Sequence, residues 1–243
     1  MLERYVKKIL KSRVYDVAQE TPLQVAQGLS ERLANQVLLK REDMQSVFSF
    51  KLRGSYNKMA QLTPEQAARG VITASAGNHA QGVAIVARQL GLKATIFMPL
   101  TTPLLKQKSV QRFGGEFVEI RLRGDSFDES AAAAARFATE SGGAIIPPYD
   151  DLLVIAGQST IGVEISQFVE TAPTHAFLEI GGGGMAAGVA SVLRDLFPDI
   201  RIIGVEAEGQ NCMGVSVAAG ARQTLTEIDK FCDGTAVATP GEL

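Results

Sequence analysis

The order of apolar and polar positions predicts that strands and helices alternate over most of the chain. From about residue 70, short β-branched runs at 71–75 and 95–99 are each followed by a segment with apolar residues at helical spacing. The pattern predicts further strands at 116–120, 144–147, 175–180 and 200–206, and helices at 102–113, 158–169 and 185–197. Strands that are apolar on both faces and are joined by helices indicate parallel α/β sheets covered on both sides.

Small and polar residues mark several helix ends. We expect Gly91 to end the helix that follows Gly77. Asp125 or Ser126 should cap an alanine-rich helix that runs to Gly142. No long linker or internal repeat interrupts this alternation.

The N-terminal segment 1–12 mixes charges with apolar residues at helical spacing, namely Leu2, Val6, Ile9 and Leu10. Lys7 and Lys8 interrupt the apolar stretch that a signal peptide would need. No window approaches the run of about 18 apolar residues that crosses a membrane. We therefore expect no membrane span and a cytoplasmic location.

Composition and charge favour a small-molecule partner over nucleic acid or a membrane. The chain has 243 residues, 46% of them apolar, which is enough for one large or two small domains with a core. The net charge is −2 and the basic residues are scattered, so no footprint for nucleic acid or an acidic membrane is apparent. A small molecule is the expected partner. Cys212 and Cys232 have no metal-binding spacing, and we expect reduced thiols.

The first candidate for chemistry is the segment SFKLRG at 49–54. A lysine that forms a Schiff base must be held away from bulk water and must lose its proton near neutral pH, and an apolar neighbour such as Phe50 serves both needs. Taken alone, the segment is weak evidence, and a solvated lysine on a helix is the favoured interpretation. Lys51 is therefore a candidate only in combination with other motifs.

The second candidate is SAGNHAQG at 75–82, between a predicted strand and a predicted helix. Small residues there let backbone N–H groups approach an anion, helped by the dipole of the following helix. A substrate carboxylate would fit this loop. The alternative is a tight turn with a helix cap, in which His79 has a capping role.

The third candidate is the run Gly181 to Gly184, which precedes a predicted helix. Four glycines let consecutive N–H groups point at one phosphate. The run also fits the dinucleotide fingerprint, with Glu206 ending the next strand, so an NAD-binding oxidoreductase is an alternative. A dinucleotide fold would leave the other two motifs unused. A monophosphate cofactor attached to a lysine and facing an amino-acid carboxylate uses all three.

These motifs together resemble the threonine/serine dehydratase group of pyridoxal-phosphate (PLP) enzymes. KRED at 40–43, PPYDD at 147–151 and VIAGQSTIG at 154–162 are similar to the biosynthetic threonine dehydratases in particular. The resemblance covers essentially the whole chain. It implies the tryptophan-synthase-β-like fold of two parallel-type α/β domains. In that fold, residues 70–147 would form a smaller substrate-clamping domain, and residues 1–69 and 148–243 a larger PLP-binding domain.

The resemblance also implies roles for individual residues. Lys51 would carry PLP, Phe50 would pack beside the pyridine ring, and Asn78 would hydrogen-bond the phenolic oxygen. The phosphate would be held by the backbone of Gly181, Gly182, Gly183, Gly184 and Met185, where the family more often has leucine at the last position. The substrate carboxylate would lie in the loop of Ser75, Ala76, Gly77, Asn78 and His79.

The chain departs from the family pattern in two places. Racemases of this group have a second serine where this chain has Ala76, so an acid for the opposite face of the substrate is lacking. The family's catalytic region continues beyond the position of Leu243, and we expect the fold to be C-terminally incomplete. A serine that meets the pyridine nitrogen and an isoleucine-binding regulatory domain belong to that further region. Glu206 lies where some relatives bind a cation, but we predict no metal site.

The function implied is α,β-elimination that converts L-threonine to 2-oxobutanoate and ammonia in isoleucine biosynthesis, with weaker action on L-serine. Lys51 would remove the Cα proton after the amino acid has displaced it from PLP. A homo-oligomer is expected for the full-length protein. The alternatives are an NAD-binding oxidoreductase and an inactive remnant of the dehydratase fold.

Overall fold

The computed structural model describes residue 9 and residues 11–243. Its helices are α1 (Gln27–Leu33), α2 (Lys51–Met59), α3 (Pro64–Arg69), α4 (Asn78–Leu90), α5 (Leu104–Gly114), α6 (Phe127–Ser141), α7 (Leu152–Phe168), α8 (Gly184–Leu196) and α9 (Cys212–Ala219). Its strands are β1 (Leu23–Val25), β2 (Leu38–Lys40), β3 (Val71–Ala74), β4 (Ala94–Met98), β5 (Val118–Leu122), β6 (Ala144–Ile145), β7 (His175–Glu179) and β8 (Arg201–Val205). Of the N-terminal segment 1–12, only residues 9, 11 and 12 are among the described residues, and Ile9 is buried.

Two parallel sheets organise the molecule, as the α/β pattern predicts. The larger sheet has the strand order β5-β4-β3-β6, and α4 packs with α5 against one of its faces. The opposite face carries α6, whose Phe137 ring lies 5.7 Å from that of Phe97. The second sheet pairs β7 with β8. A separate antiparallel pair of β1 and β2 flanks α1 and was not predicted, because each strand has only three residues.

Most predicted boundaries are confirmed to within two residues. Gly91 and Gly142 end their helices with positive φ, and the cap of α6 is Ser126 rather than Asp125. The largest error concerns α7, which begins at Leu152 instead of near residue 158. The Asp151 carboxylate starts this helix by accepting the first free N–H groups.

Glycines bring three helices unusually close together. A Cβ added to Gly157 of α7 would lie 2.7 Å from the Arg53 carbonyl oxygen of α2. A Cβ added to Gly188 of α8 would lie 2.7 Å from the Ile155 carbonyl oxygen of α7. Helices α2, α7 and α8 therefore pack backbone to backbone, and this packing fixes the relative position of Lys51 and the glycine run.

The structure also bears on membrane-spanning helices and on the state of the two cysteines. Within the part that the structure describes, no helix is both long and apolar enough to cross a membrane. Cys212 is buried and Cys232 is exposed, and neither forms a disulfide in this structure.

Candidate active site

Each of the three candidate segments lies at the start of a helix. Lys51 is the first residue of α2, Asn78 is the first residue of α4, and the glycine run leads into α8 at Gly184. A Cβ added to Gly82 of α4 would lie 3.0 Å from the backbone of Lys51, so the first two segments are in direct contact. Helix N-termini carry partial positive charge and unpaired N–H groups, which favour anionic ligands.

The amine of Lys51 is held in a partly buried position. Its Nζ donates a hydrogen bond of 2.8 Å to the carbonyl oxygen of Pro148 and lies 5.4 Å from the centroid of the Phe50 ring. Burial lowers the pKa of Lys51 to about 8, because the charged form loses hydration and gains no carboxylate partner. A lysine with this pKa has a much larger neutral, nucleophilic fraction near physiological pH than an ordinary lysine.

The lowered pKa makes a prediction about pH. The rate at which pyridoxal attaches to the cofactor-free chain should rise as Lys51 loses its proton, with a midpoint at about pH 8 and a plateau above it. An ordinary lysine has a pKa of about 10.4 and would still be gaining rate at that point. The rate can be followed by the visible absorbance of the adduct. A midpoint near pH 10 would contradict the proposed environment of Lys51.

The loop between β3 and α4 is organised by its own side chains. The hydroxyl of Ser75 accepts hydrogen bonds from the N–H groups of Gly77 at 3.2 Å and Ala80 at 3.3 Å. A Cβ added to Gly77 would meet nothing within 4 Å, so the space in front of this residue is open. The Asn78 side chain is exposed and makes no hydrogen bond within the described residues. Ala76 is partly buried against the core that underlies α4.

His79 points in the opposite direction, into the protein interior. Its Nε2 lies 2.9 Å from the carbonyl oxygen of Ile146 and its Nδ1 lies 3.5 Å from the hydroxyl of Ser55. Burial, followed by the nearby charge of Lys51, lowers the pKa of His79 to about 3. The imidazole is therefore neutral at pH 7, and only the backbone of His79 belongs to the loop surface.

The glycine run is a cradle that side chains would fill. A Cβ added to Gly182 would lie 2.3 Å from the ring of Tyr149, and one added to Gly181 would lie 3.0 Å from the carbonyl oxygen of Thr235. Gly183 has a φ of +91°, which L side chains rarely adopt. Met185 follows on α8 and packs with Phe50 against one apolar cluster. This geometry leaves successive backbone N–H groups free to bind a phosphate.

Glu206 lies apart from these three segments. Its carboxylate accepts hydrogen bonds from the N–H groups of Met213 at 2.9 Å and Gly214 at 2.7 Å, and so caps α9. The acidic residue that a dinucleotide would need for its ribose is thus engaged elsewhere, and the NAD-binding alternative has no support. The described residues contain no cluster of metal-binding side chains.

The sequence analysis did not single out two contacts that connect the site. The carbonyl of Pro148 receives the Lys51 amine, and the hydroxyl of Ser55 donates to the Lys51 carbonyl at 3.0 Å while facing His79. Ser55 carries a local signal, since it lies one helical turn after Lys51. Pro148 carries none, because its contact spans 97 residues of sequence.

A partly buried lysine of lowered pKa, near a glycine run at a helix N-terminus, fits an enzyme that binds PLP covalently. The sequence agrees: residues 14–243 match the family described as pyridoxal-phosphate dependent enzymes, and the chain belongs to this family. It has the tryptophan-synthase-β-like fold.

Individual relatives are named as threonine dehydratases or as a threonine deaminase. The chain is 53% identical to a biosynthetic L-threonine dehydratase of Burkholderia multivorans over 98% of its own length and 47% of the relative's. It is 51% identical to the chloroplastic threonine dehydratase 1 of Solanum lycopersicum, again over 98% of this chain and 39% of the relative. The processed form of threonine deaminase isoform 2 from the same plant superposes with a TM-score of 0.95 at 47% identity, covering 99% of this chain and 65% of that one. The chain thus spans about half or less of the length of these curated relatives.

The residues present fit PLP on structural grounds. The aldehyde of PLP needs a neutral amine, which Lys51 provides at its lowered pKa. The phosphate needs a loop without side chains at a helix N-terminus, which the run before α8 provides. Phe50 lies beside Lys51 and offers an apolar surface to a pyridine ring.

Proposed function

We propose that this chain carries the active site of a threonine ammonia-lyase, which converts L-threonine to 2-oxobutanoate and ammonia and acts more weakly on L-serine. The observation that carries the proposal is the amine of Lys51, which is partly buried, of lowered pKa and linked through Pro148 and Tyr149 to the glycine run. The names of the relatives, which are threonine dehydratases and a threonine deaminase, support threonine as the substrate.

The proposed roles follow the position of each residue. Lys51 attaches the cofactor and, once released by the substrate amine, takes the proton from Cα. When bound, PLP supplies an electron sink that makes this proton acidic. Phe50 excludes water beside Lys51, and the exposed amide of Asn78 is available to hydrogen-bond the cofactor ring.

Two loops bind the anionic groups in this proposal. The backbone of Gly181, Gly182, Gly183, Gly184 and Met185 holds the cofactor phosphate. The loop of Ser75, Ala76, Gly77, Asn78 and His79 holds the substrate carboxylate. In the second loop Ser75 acts by shaping the backbone, because its hydroxyl already accepts from Gly77 and Ala80.

We also propose that residues 70–147 form the smaller domain and that residues 1–69 with 148–243 form the larger one. Support comes from the sheets, since strands β3 to β6 all fall within the first range and β7 and β8 fall within the second. Lys51 and the glycine run then belong to the larger domain and the carboxylate loop to the smaller one. Substrate would be held where the two domains meet.

The assembly and location are proposals as well. A homo-oligomer of the full-length protein and a cytoplasmic location are consistent with an enzyme of small-molecule metabolism. The tomato relative is named as chloroplastic, so an organellar site is the alternative. Size-exclusion chromatography with light scattering, and fractionation of the source cells, would test the two statements.

The decisive assay is formation of 2-oxobutanoate and ammonia from L-threonine by the chain with added PLP. L-Serine should give pyruvate more slowly, and neither substrate should be racemised, because Ala76 offers no acid to the second face. Substantial D-serine formation would overturn the assigned role of Ala76. A chain that binds PLP on Lys51 but shows no turnover would be an inactive member of the fold, and the proposed activity would be wrong for this polypeptide.

A further inference from the structure

One aromatic residue stands between the lysine and the glycine run. Tyr149 follows Pro148, whose carbonyl oxygen accepts the hydrogen bond from Lys51 at 2.8 Å. Its hydroxyl donates to the carbonyl oxygen of Thr239 at 3.2 Å. Pro148 therefore contacts the lysine, and the next residue, Tyr149, contacts the glycine run.

Tyr149 contacts the glycine run through both its ring and its backbone. A Cβ added to Gly182 would lie 2.3 Å from Cγ, 2.3 Å from Cδ2 and 2.4 Å from Cδ1 of the ring. Since these three distances are nearly equal, Gly182 faces the plane of the ring rather than its edge. A Cβ added to Gly184 would lie 2.6 Å from the Tyr149 carbonyl oxygen. The loop backbone and Tyr149 are thus in van der Waals contact over two of the four glycines.

The other side of the loop is held by the segment 235–243. The N–H of Gly241 donates to the Gly182 carbonyl at 3.0 Å. The carboxylate of Asp150 accepts from the N–H groups of Glu242 at 3.0 Å and Leu243 at 3.2 Å. Gly182 is consequently clamped between the Tyr149 ring and this segment, and Asp150, the neighbour of Tyr149, secures the segment.

We propose that Tyr149 is a positioning residue for the cofactor phosphate. A run of four glycines has high conformational freedom, and ordering it when the phosphate arrives would weaken binding. The flat ring restricts the peptide planes at Gly182 beforehand, next to Gly184, which already packs on the Tyr149 backbone, so that the N–H groups converge before the phosphate binds. The ring performs this function, whereas the hydroxyl only links Tyr149 to Thr239. The proposal rests on the proposed function, because it assumes that the run binds the phosphate of PLP.

The test compares PLP with pyridoxal, which has the same aldehyde and lacks the phosphate. Dissociation constants of both are measured from the visible absorbance of their adducts with Lys51, in the unaltered chain, Tyr149→Phe, Tyr149→Leu and Tyr149→Ala. We expect Tyr149→Phe to bind both aldehydes like the unaltered chain. Tyr149→Leu and Tyr149→Ala should weaken PLP on the order of 10- to 100-fold, the size of one lost hydrogen bond to a charged group, and leave pyridoxal nearly unchanged.

Each other outcome has a definite meaning. Equal weakening of PLP and pyridoxal would show that Tyr149 acts on the lysine or on folding, and would overturn the proposal. A selective loss already in Tyr149→Phe would make the hydroxyl responsible and overturn the role of the ring. The leucine variant fills much of the ring's space, so it serves if the alanine variant does not fold by circular dichroism. Failure of the unaltered chain to bind either aldehyde would overturn the proposed function, and the role of Tyr149 with it.

Discussion

Replacing Lys51 with alanine is expected to abolish covalent attachment of PLP and to lower turnover of L-threonine by at least about 10⁴-fold, the upper range for loss of one general base. The loss of turnover should reach or exceed the range for a single general base, because one amine both attaches the cofactor and removes the Cα proton. The protein itself should remain folded, since Lys51 bears a partly buried amine with no carboxylate partner and a pKa lowered to about 8. Removing that group relieves a desolvation cost.

The measurements are borohydride reduction of the PLP-loaded chain with peptide mapping, the assay of 2-oxobutanoate, and thermal unfolding. Lys108→Ala is the matched control, because Lys108 is an exposed lysine on α5. It should retain both attachment and turnover. A pyridoxyl group found on any lysine other than Lys51 in the unaltered chain would show that the assignment is wrong.

The part of the fold that the sequence predicted is the part built from local patterns. The strands and helices from β3 to α6 have apolar runs separated by glycines and by a capping serine, and their boundaries follow from those signals. Helix α7 was predicted to begin near residue 158, which is too late, although Asp151 is a local capping signal just before Leu152. In the structure Gly157 lies inside the helix, where a Cβ would lie 2.7 Å from the Arg53 carbonyl oxygen. That requirement is tertiary and leaves no local trace.

The candidate site also contains parts that local sequence patterns predict and parts that they do not. Its three segments were found because each one concentrates unusual residues within a few positions of sequence. The Pro148 carbonyl and the Tyr149 ring were not found, because they act across about 30 to 100 residues of chain and one of them acts through its backbone. His79 illustrates a third case, in which a polar residue of a functional loop turns its side chain into the core.

A buried group of charges supports the helix that begins with Lys51. Arg53 is fully buried and contacts Glu42 with two parallel bonds, Nε to Oε2 at 2.8 Å and Nη2 to Oε1 at 2.8 Å. Its Nη1 contacts the carboxylate of Glu164 on α7, and Lys40 of β2 contacts the same carboxylate. Two cations and two carboxylates balance in charge. The cluster joins β2 and the residue Glu42 that follows it to α2 and α7 below the site.

The charge of Glu164 depends on this cluster. Burial raises the pKa of its carboxyl, but the hydrogen bonds and charges of Arg53 and then Lys40 outweigh burial and hold the pKa below its usual range. A lowered pKa in the folded state means that the stabilisation is present above the unfolded pKa of about 4.3 and is lost as the pH falls through the folded value. The cluster should therefore contribute to stability at neutral pH and to unfolding in acid.

Replacing Arg53 with methionine is expected to lower the free energy of unfolding at pH 7 by about 3–5 kcal/mol, because Glu42 and Glu164 would keep buried charge without their main partner. Urea unfolding followed by circular dichroism measures the loss. Arg41→Met is the matched control: Arg41 pairs with Asp43 at 2.7 Å in solvent, and its removal should leave the unfolding midpoint unchanged. Arg53→Lys should lose most of the same stability, since an ammonium cannot make the two parallel bonds to Glu42. A loss for Arg53→Met below about 1 kcal/mol, the range of surface pairs, would show that water replaces the guanidinium and that the cluster does not hold α2 in place.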